Sequence, residues 1–242
     1  MKTAVLALLV IFTTTSAFAQ DYGLFHGTWF HANFLDILKK TSSVEQAMQA
    51  KGADEPLYIR IDSSQLEGKV LTAMHLGATE ELLMLKTSIP NAGMKWAIGT
   101  MDHPFWIVSV DERAQSYIAL TKIDSMEGKP VVLGKLPSKN PDPMFILKRM
   151  INSSVLTGTW VDAKGKETTF SNGMVATMGG QTFTYDLSIH AQNYTVTLTS
   201  TEGKPQSYLV QRMGDGLTLT PLHGSKTTQS PIALKNKIAV RR

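Results

Sequence analysis

The chain contains 242 residues, of which 43% are hydrophobic, 18% charged and 8% aromatic. This composition is typical of a folded globular protein and excludes a disordered, collagen-like or coiled-coil chain. The formal net charge is +4, and no long run of lysine or arginine accompanies it, so we expect no nucleic-acid partner. There are no cysteines, which excludes disulfides, thiolate metal sites and cysteine nucleophiles.

Residues 1–19 have the organisation of an export signal. Lys2 supplies a positive charge, residues 4–12 are an uninterrupted apolar run, and Ala17 and Ala19 are the small residues that a signal peptidase reads. The apolar run is shorter than the roughly 20 residues that a membrane-spanning helix needs. We therefore predict cleavage after Ala19, a bacterial periplasmic or secreted protein, and no integral membrane segment in the mature chain.

The tripeptide Gly-Thr-Trp occurs twice, at residues 27–29 and 158–160. Each copy opens a series of strand-like segments, and each series ends in an apolar segment that carries a lysine. This repetition predicts two β units, over residues 22–151 and 155–240.

The first unit begins with a helical pattern at 33–50, which residues 41–43 divide into two short helices. This segment is either a lid over a barrel mouth or a cover for one barrel end. A helix at 142–151 ends the unit, with Asp142 as its N-cap and Pro143 in its first turn. Between turn residues the alternation predicts eight strands, at 27–31, 57–62, 67–76, 80–88, 94–99, 105–111, 116–123 and 131–135.

These strands define the predicted fold class, which is mostly β. Eight closely spaced antiparallel strands commonly close into an up-and-down barrel, because closure removes exposed sheet edges. In the second unit apolar and threonine-rich positions alternate at 182–189 and 194–199, which indicates an antiparallel sheet with one solvated face. We expect that unit to be a small antiparallel barrel or sandwich whose interior its own side chains fill.

Three segments of the first unit resemble a bacterial lipocalin, or more broadly a calycin-type barrel. Gly27-Thr28-Trp29 is similar to the motif on the first strand of that family, and residues 105–120 are similar to its late hairpin. Residues 131–137 resemble its last strand, where Lys135 stands in place of the usual arginine that stacks on the motif tryptophan. The second unit resembles small lipocalin-like domains of exported bacterial proteins.

The resemblance implies a barrel whose mouth admits one small hydrophobic molecule, such as a lipid or fatty acid. The candidate residues of the ligand-binding wall are Met74, His75, Met84, Trp96, Trp106 and Tyr117. Any one of these residues is more often plain barrel core than ligand wall. The residues that the resemblance assigns to barrel closure, not to ligand contact, are Gly27, Trp29, Lys135, Gly158 and Trp160.

Three classes of function follow. The first is an exported carrier of a small hydrophobic ligand. The second is an envelope-associated protein-interaction module with filled barrels, and the third is an enzyme that uses the barrel cavity, with His75 as acid or base. No Gly-x-Ser-x-Gly elbow and no tightly spaced histidine pair is present, so we predict no catalytic residue, no metal site and no cofactor.

Overall fold

The structure is a computed structural model that describes residues 23–62, 68–75, 78–110, 116–125, 128–136, 142–190, 196–201, 206–223, 226–227 and 230–237. The predicted export signal lies outside these residues. Contacts divide the chain into two compact units. The first unit consists of the chain up to Ala32 together with Pro56–Met74 and Thr79–Pro137. The second unit consists of Asn33–Glu55, His75–Ala78 and Ser138–Arg242.

The first unit is a closed antiparallel barrel of eight strands in sequence order. The strands are β1 (Gly27–His31), β2 (Tyr58–Asp62), β3 (Gly68–His75), β4 (Ala78–Ile89), β5 (Gly93–Gly99), β6 (Pro104–Val110), β7 (Tyr117–Lys122) and β8 (Val131–Lys135). The barrel closes where Trp29 of β1 lies opposite Lys135 of β8. The predicted up-and-down barrel is confirmed, and the bounds of each strand agree within two residues.

The segment between β1 and β2 forms two helices, α1 (Ala32–Thr41) and α2 (Val44–Ala50). The predicted break at residues 41–43 is confirmed. Ser42 has a φ of 55°, a left-handed conformation that ends α1, and the Ser43 hydroxyl caps α2 by accepting a hydrogen bond from the Gln46 N–H at 3.2 Å. Residues 33–55, which contain both helices except the first residue of α1, group with the second unit.

The third helix, α3 (Pro143–Ile151), begins as the sequence predicts. The Asp142 carboxylate accepts a hydrogen bond from the Met144 N–H at 2.9 Å, and Pro143 occupies the first turn, where its missing N–H has no cost. A π-helical turn over Asn152–Leu156 then leads directly into the second Gly-Thr-Trp. A short 3₁₀ turn, Ile123–Ser125, follows β7 in the first unit.

The second unit contains a curled antiparallel sheet of nine strands. The strands are β9 (Gly158–Val161), β10 (Glu167–Phe170), β11 (Val175–Met178), β12 (Gln181–Ile189), β13 (Val196–Ser200), β14 (Ser207–Met213), β15 (Gly216–His223), β16 (Lys226–Thr227) and β17 (Ile232–Asn236). The sheet closes on itself, because β14 pairs with β15, β15 pairs with β17, and β17 pairs with β9.

The alternation predicted for this sheet is present on β12 and β13. Tyr185, Leu187 and Leu198 are buried, whereas the hydroxyls of neighbouring threonines on the other face bond across strands, as Thr177 does with Thr182 at 2.9 Å. Cross-strand pairs of this kind stabilise a sheet whose outer face is wet.

None of the helices within the described ranges has the length and apolarity that crossing a membrane requires.

The glycine that opens β1 is predicted to be indispensable for stability. Gly27 has a φ of +134°, and a Cβ at this position would lie 2.7 Å from Cε of Lys135. We expect Gly27→Ala to lower the free energy of unfolding by about 1–3 kcal/mol, because it strains the backbone and displaces the Lys135 side chain. Urea unfolding followed by tryptophan fluorescence measures this, since Trp29, Trp96 and Trp106 lie in this unit.

The matched control is Gly23→Ala. No atom lies within 4 Å of a Cβ built on Gly23, so this variant should unfold at the wild-type urea concentration. Equal stability of the two variants would contradict the role assigned to Gly27.

Candidate functional site

The interior of the first barrel is the candidate site. Fourteen buried side chains, contributed by all eight strands and by Phe25, form one apolar cluster. The members are Phe25, Trp29, Ile59, Ile61, Val70, Leu82, Met84, Ile98, Trp106, Val108, Ile118, Leu120, Val131 and Leu133. On each strand they alternate with residues of the outer face, which is the pattern expected of an inward-facing lining.

One end of this barrel is plugged by the chain that precedes β1. Phe25 is buried in the cluster, and its ring meets the edge of the Trp96 ring with the centroids 6.2 Å apart. We call this the plugged end. Leu24 and Val110, two of the three partly buried residues packed against the cluster, also lie there.

The opposite end, where β1 finishes, is called the far end. Leu82, Trp106 and Val131 lie in the halves of their strands nearest to it, and they are 6–7% exposed. Trp29, Ile59 and Leu133, in the middle of their strands, have no exposed surface, and neither does Ile98, which lies opposite Trp106. The interior is therefore closed to solvent at its centre, and small exposed fractions remain toward both ends.

The structure brings three of the six candidate wall residues together. Met84 and Trp106 belong to the apolar cluster, and Trp96 packs against it. Tyr117 does not join them: it precedes the inward-facing Ile118 on β7 and is 51% exposed, so its ring lies on the outer face. The side chains of Met74 and His75 lie outside the described part of the chain, although both residues are on β3.

Thr72 is a polar residue of this interior that the sequence analysis missed. It lies opposite Ile59 of the cluster on the neighbouring strand, so both side chains face inward, and it is 1% exposed. Its inward orientation could have been predicted, because Val70, Thr72 and Met74 are alternate residues of β3 and therefore belong to the same face of the strand. Among the described residues no hydrogen-bond partner is found for its hydroxyl.

The closure residues of the first barrel form a compact arrangement around Trp29. The indole N–H donates a hydrogen bond to the Phe25 carbonyl at 2.8 Å, and Nζ of Lys135 lies 5.0 Å from the centroid of the ring. A buried tryptophan needs a partner for its N–H, and a cation over the indole face adds electrostatic attraction. This arrangement ties β1 to β8 and to the plug.

The second Gly-Thr-Trp repeats this geometry. Gly158 has a φ of +142°, and the fully buried Trp160 donates its indole N–H to the Leu156 carbonyl at 2.7 Å. The cation here is Arg212, whose Cζ lies 5.1 Å from the ring centroid. Sequence reasoning missed Arg212 because it is on β14, far along the chain from Trp160, and no local motif marks it.

Arg212 also binds the turn that leads into β9. Its Nη1 donates to the Ser154 carbonyl at 2.8 Å and to the Val155 carbonyl at 3.1 Å. Burial lowers the pKa of the guanidinium, and the charge of Asp215 opposes this shift. Arg212 thus satisfies carbonyls that a helix end leaves without partners.

A buried polar pair holds the same turn on its other side. The Asn152 amide donates to the Ser171 carbonyl at 2.9 Å and accepts from the Tyr185 hydroxyl at 2.5 Å. Burial raises the pKa of Tyr185 well above its usual value, because the phenolate would lose its hydration. Because both side-chain groups of Asn152 are hydrogen-bonded within the chain, we assign this pair a structural role.

Described residues of the second unit line two depressions. One, of about 700 Å³, runs along β9, β15 and β17 and is lined partly by Val161, Thr218, Ala233 and Lys235. The other, of about 520 Å³, lies between the α1–α2 corner and the segment around Arg212. Its hydroxyls at Thr41 and Ser43 already bond within the chain.

Within the described ranges no group of three or more His, Asp or Glu side chains is arranged to hold a metal ion. Comparison of the chain with protein-family models, with curated proteins and with solved structures found no significant match. The closed eight-stranded barrel is consistent with the lipocalin-like fold that the motifs predict.

The contacts of Arg212 predict that lysine cannot replace it. Arg212→Lys keeps the charge but loses the planar stacking on Trp160 and the geometry of the two carbonyl bonds. We expect the free energy of unfolding to fall by about 1–2 kcal/mol and the Trp160 indole N–H to exchange faster with solvent. Urea unfolding and hydrogen exchange followed by NMR measure the two effects.

Arg149→Lys is the control, because Arg149 is exposed on α3. The role of Arg212 would be contradicted if both variants kept wild-type stability and wild-type exchange at Trp160.

Proposed function

We propose that the protein is an exported carrier that binds one small hydrophobic molecule inside the first barrel. The observation that carries this proposal is the lining: buried side chains from all eight strands form one contiguous apolar cluster inside the barrel. An eight-stranded barrel has an interior just wide enough for its own side chains or for one small ligand. The predicted export signal supports a location of such a carrier in the periplasm or the medium.

The far end is the proposed entrance. Phe25 blocks the plugged end, whereas Leu82, Trp106 and Val131 keep a small exposed fraction at the far end. Met84 lies behind them in the cluster, and a methionine side chain adapts its shape at low cost. A ligand that enters here rearranges these side chains to reach the barrel interior.

A pair of neighbouring substitutions on β8 tests the proposal. Val131 faces the interior near the entrance, whereas the next residue, Val132, is 41% exposed on the outer face. Val131→Trp fills the entrance and should weaken binding of a fluorescent fatty-acid analogue at least about tenfold, because overpacking by a large ring costs about 1–3 kcal/mol. Val132→Trp should bind the analogue as the wild type does.

Circular dichroism and thermal unfolding establish that both variants are folded. A wild-type protein that takes up no lipid, fatty acid or retinoid-like probe over a broad panel would overturn the carrier proposal. Equal binding by the two tryptophan variants would remove the far end as the entrance.

A second candidate function is a protein-interaction module. Phe105, Tyr117 and Val132, on the consecutive strands β6, β7 and β8, are 41–51% exposed on the outer face of the barrel, and exposed apolar patches often mark interfaces. This candidate predicts a periplasmic partner whose capture is lost in the double variant Tyr117→Ser, Val132→Ser and retained in Val131→Trp. Capture that survives the double variant would contradict it.

A further inference from the structure

The Thr72 hydroxyl has an unusual status in the described part of the molecule. It is the one buried side-chain polar atom there that has no hydrogen-bond partner. Burying a hydroxyl without a partner costs about 1–3 kcal/mol, and native proteins contain few such groups. An unsatisfied hydroxyl therefore points to a partner that comes from outside the protein chain.

The place of Thr72 in the barrel identifies where that partner would bind. Ile59 lies opposite Thr72, and on its other side Ile59 lies opposite Trp29. Thr72 is the fifth of the eight residues of β3, and that strand runs toward the far end. The hydroxyl is thus inside the barrel, in the same row of paired residues as Ile59 and Trp29.

The buried side chains described in the barrel interior are apolar, and Lys122, a half-buried charged residue, lies opposite Trp106 toward the far end. Every member of the interior cluster is a hydrophobic residue, and so are the three partly buried residues that pack against it. Lys135, which lies against Trp29, is exposed and comes at the plugged end of β8. Thr72 therefore supplies a single neutral donor and acceptor within a hydrophobic lining.

We infer that Thr72 is the polar anchor of the barrel, and that the ligand is an apolar molecule with one uncharged hydrogen-bonding group. An aliphatic alcohol, ketone or ester has this chemistry. A carboxylate does not, because an ionised group that is buried beside one hydroxyl remains largely uncompensated. This inference rests on the proposed carrier function and adds to it the class of the ligand.

Competition against a fluorescent fatty-alcohol analogue tests the inference, with dodecanol, dodecane and dodecanoate at pH 8 as competitors. The wild type should bind dodecanol most tightly of the three. Thr72→Val removes the hydroxyl and keeps the shape of the side chain, so the affinity for dodecanol should fall about fivefold. The affinity for dodecane should remain unchanged.

Thr72→Ser is the matched control, because it retains the hydroxyl and should keep the preference for dodecanol over dodecane. Thermal unfolding shows whether each variant is folded. Thr72→Val should melt no lower than the wild type, because the substitution removes an unsatisfied group without leaving a cavity.

The outcomes separate this inference from the carrier proposal. If none of the competitors displaces the analogue and the analogue itself does not bind, the carrier proposal fails. If dodecanol binds equally to the wild type and to Thr72→Val, or if dodecanoate binds most tightly, the carrier stands and the anchor is overturned. A crystal structure with dodecanol in which the Thr72 hydroxyl bonds only a buried water would also overturn the anchor.

Discussion

A buried tryptophan on the first strand of each β unit is the constraint on which both sheets depend. Trp29 and Trp160 each donate the indole N–H to the carbonyl four residues earlier, and each carries a cation over the ring. The hydrogen bond fixes the chain that enters the first strand, and the cation comes from a strand late in the same unit. One side chain thus joins the beginning and the end of each circuit, and the preceding glycine supplies the backbone conformation that this requires.

The two units use the same arrangement with different partners. In the first unit Lys135 lies directly opposite Trp29 on the adjacent strand β8. In the second unit Asn236 is opposite Trp160, and Arg212 of β14 provides the cation and also binds two carbonyls of the preceding turn. The planar guanidinium can stack and donate several hydrogen bonds at once, which an ammonium group cannot do.

Much of the fold was predictable because local patterns determine it. Alternation of apolar residues located the strands of the barrel, and Asp142 with Pro143 marked the start of α3. The candidate site was less predictable, because apolar residues of both parities occur between residues 80 and 111. On β7, outside that range, Tyr117 was predicted to belong to the ligand wall, whereas the register turns it outward. Arg212 and the missing partner of Thr72 depend on contacts between distant strands, which one sequence does not reveal.

The carrier proposal makes one claim that a single measurement addresses most directly: the first barrel holds a small apolar molecule. Native mass spectrometry of the protein, purified gently from an exporting host, would be combined with analysis of an organic extract of the same sample. The account predicts a mass excess that disappears on denaturation and a matching neutral lipid-like compound in the extract. A clean ligand-free mass, together with no uptake when the same sample is mixed with a panel of apolar alcohols and esters, would contradict it and would favour the interaction module.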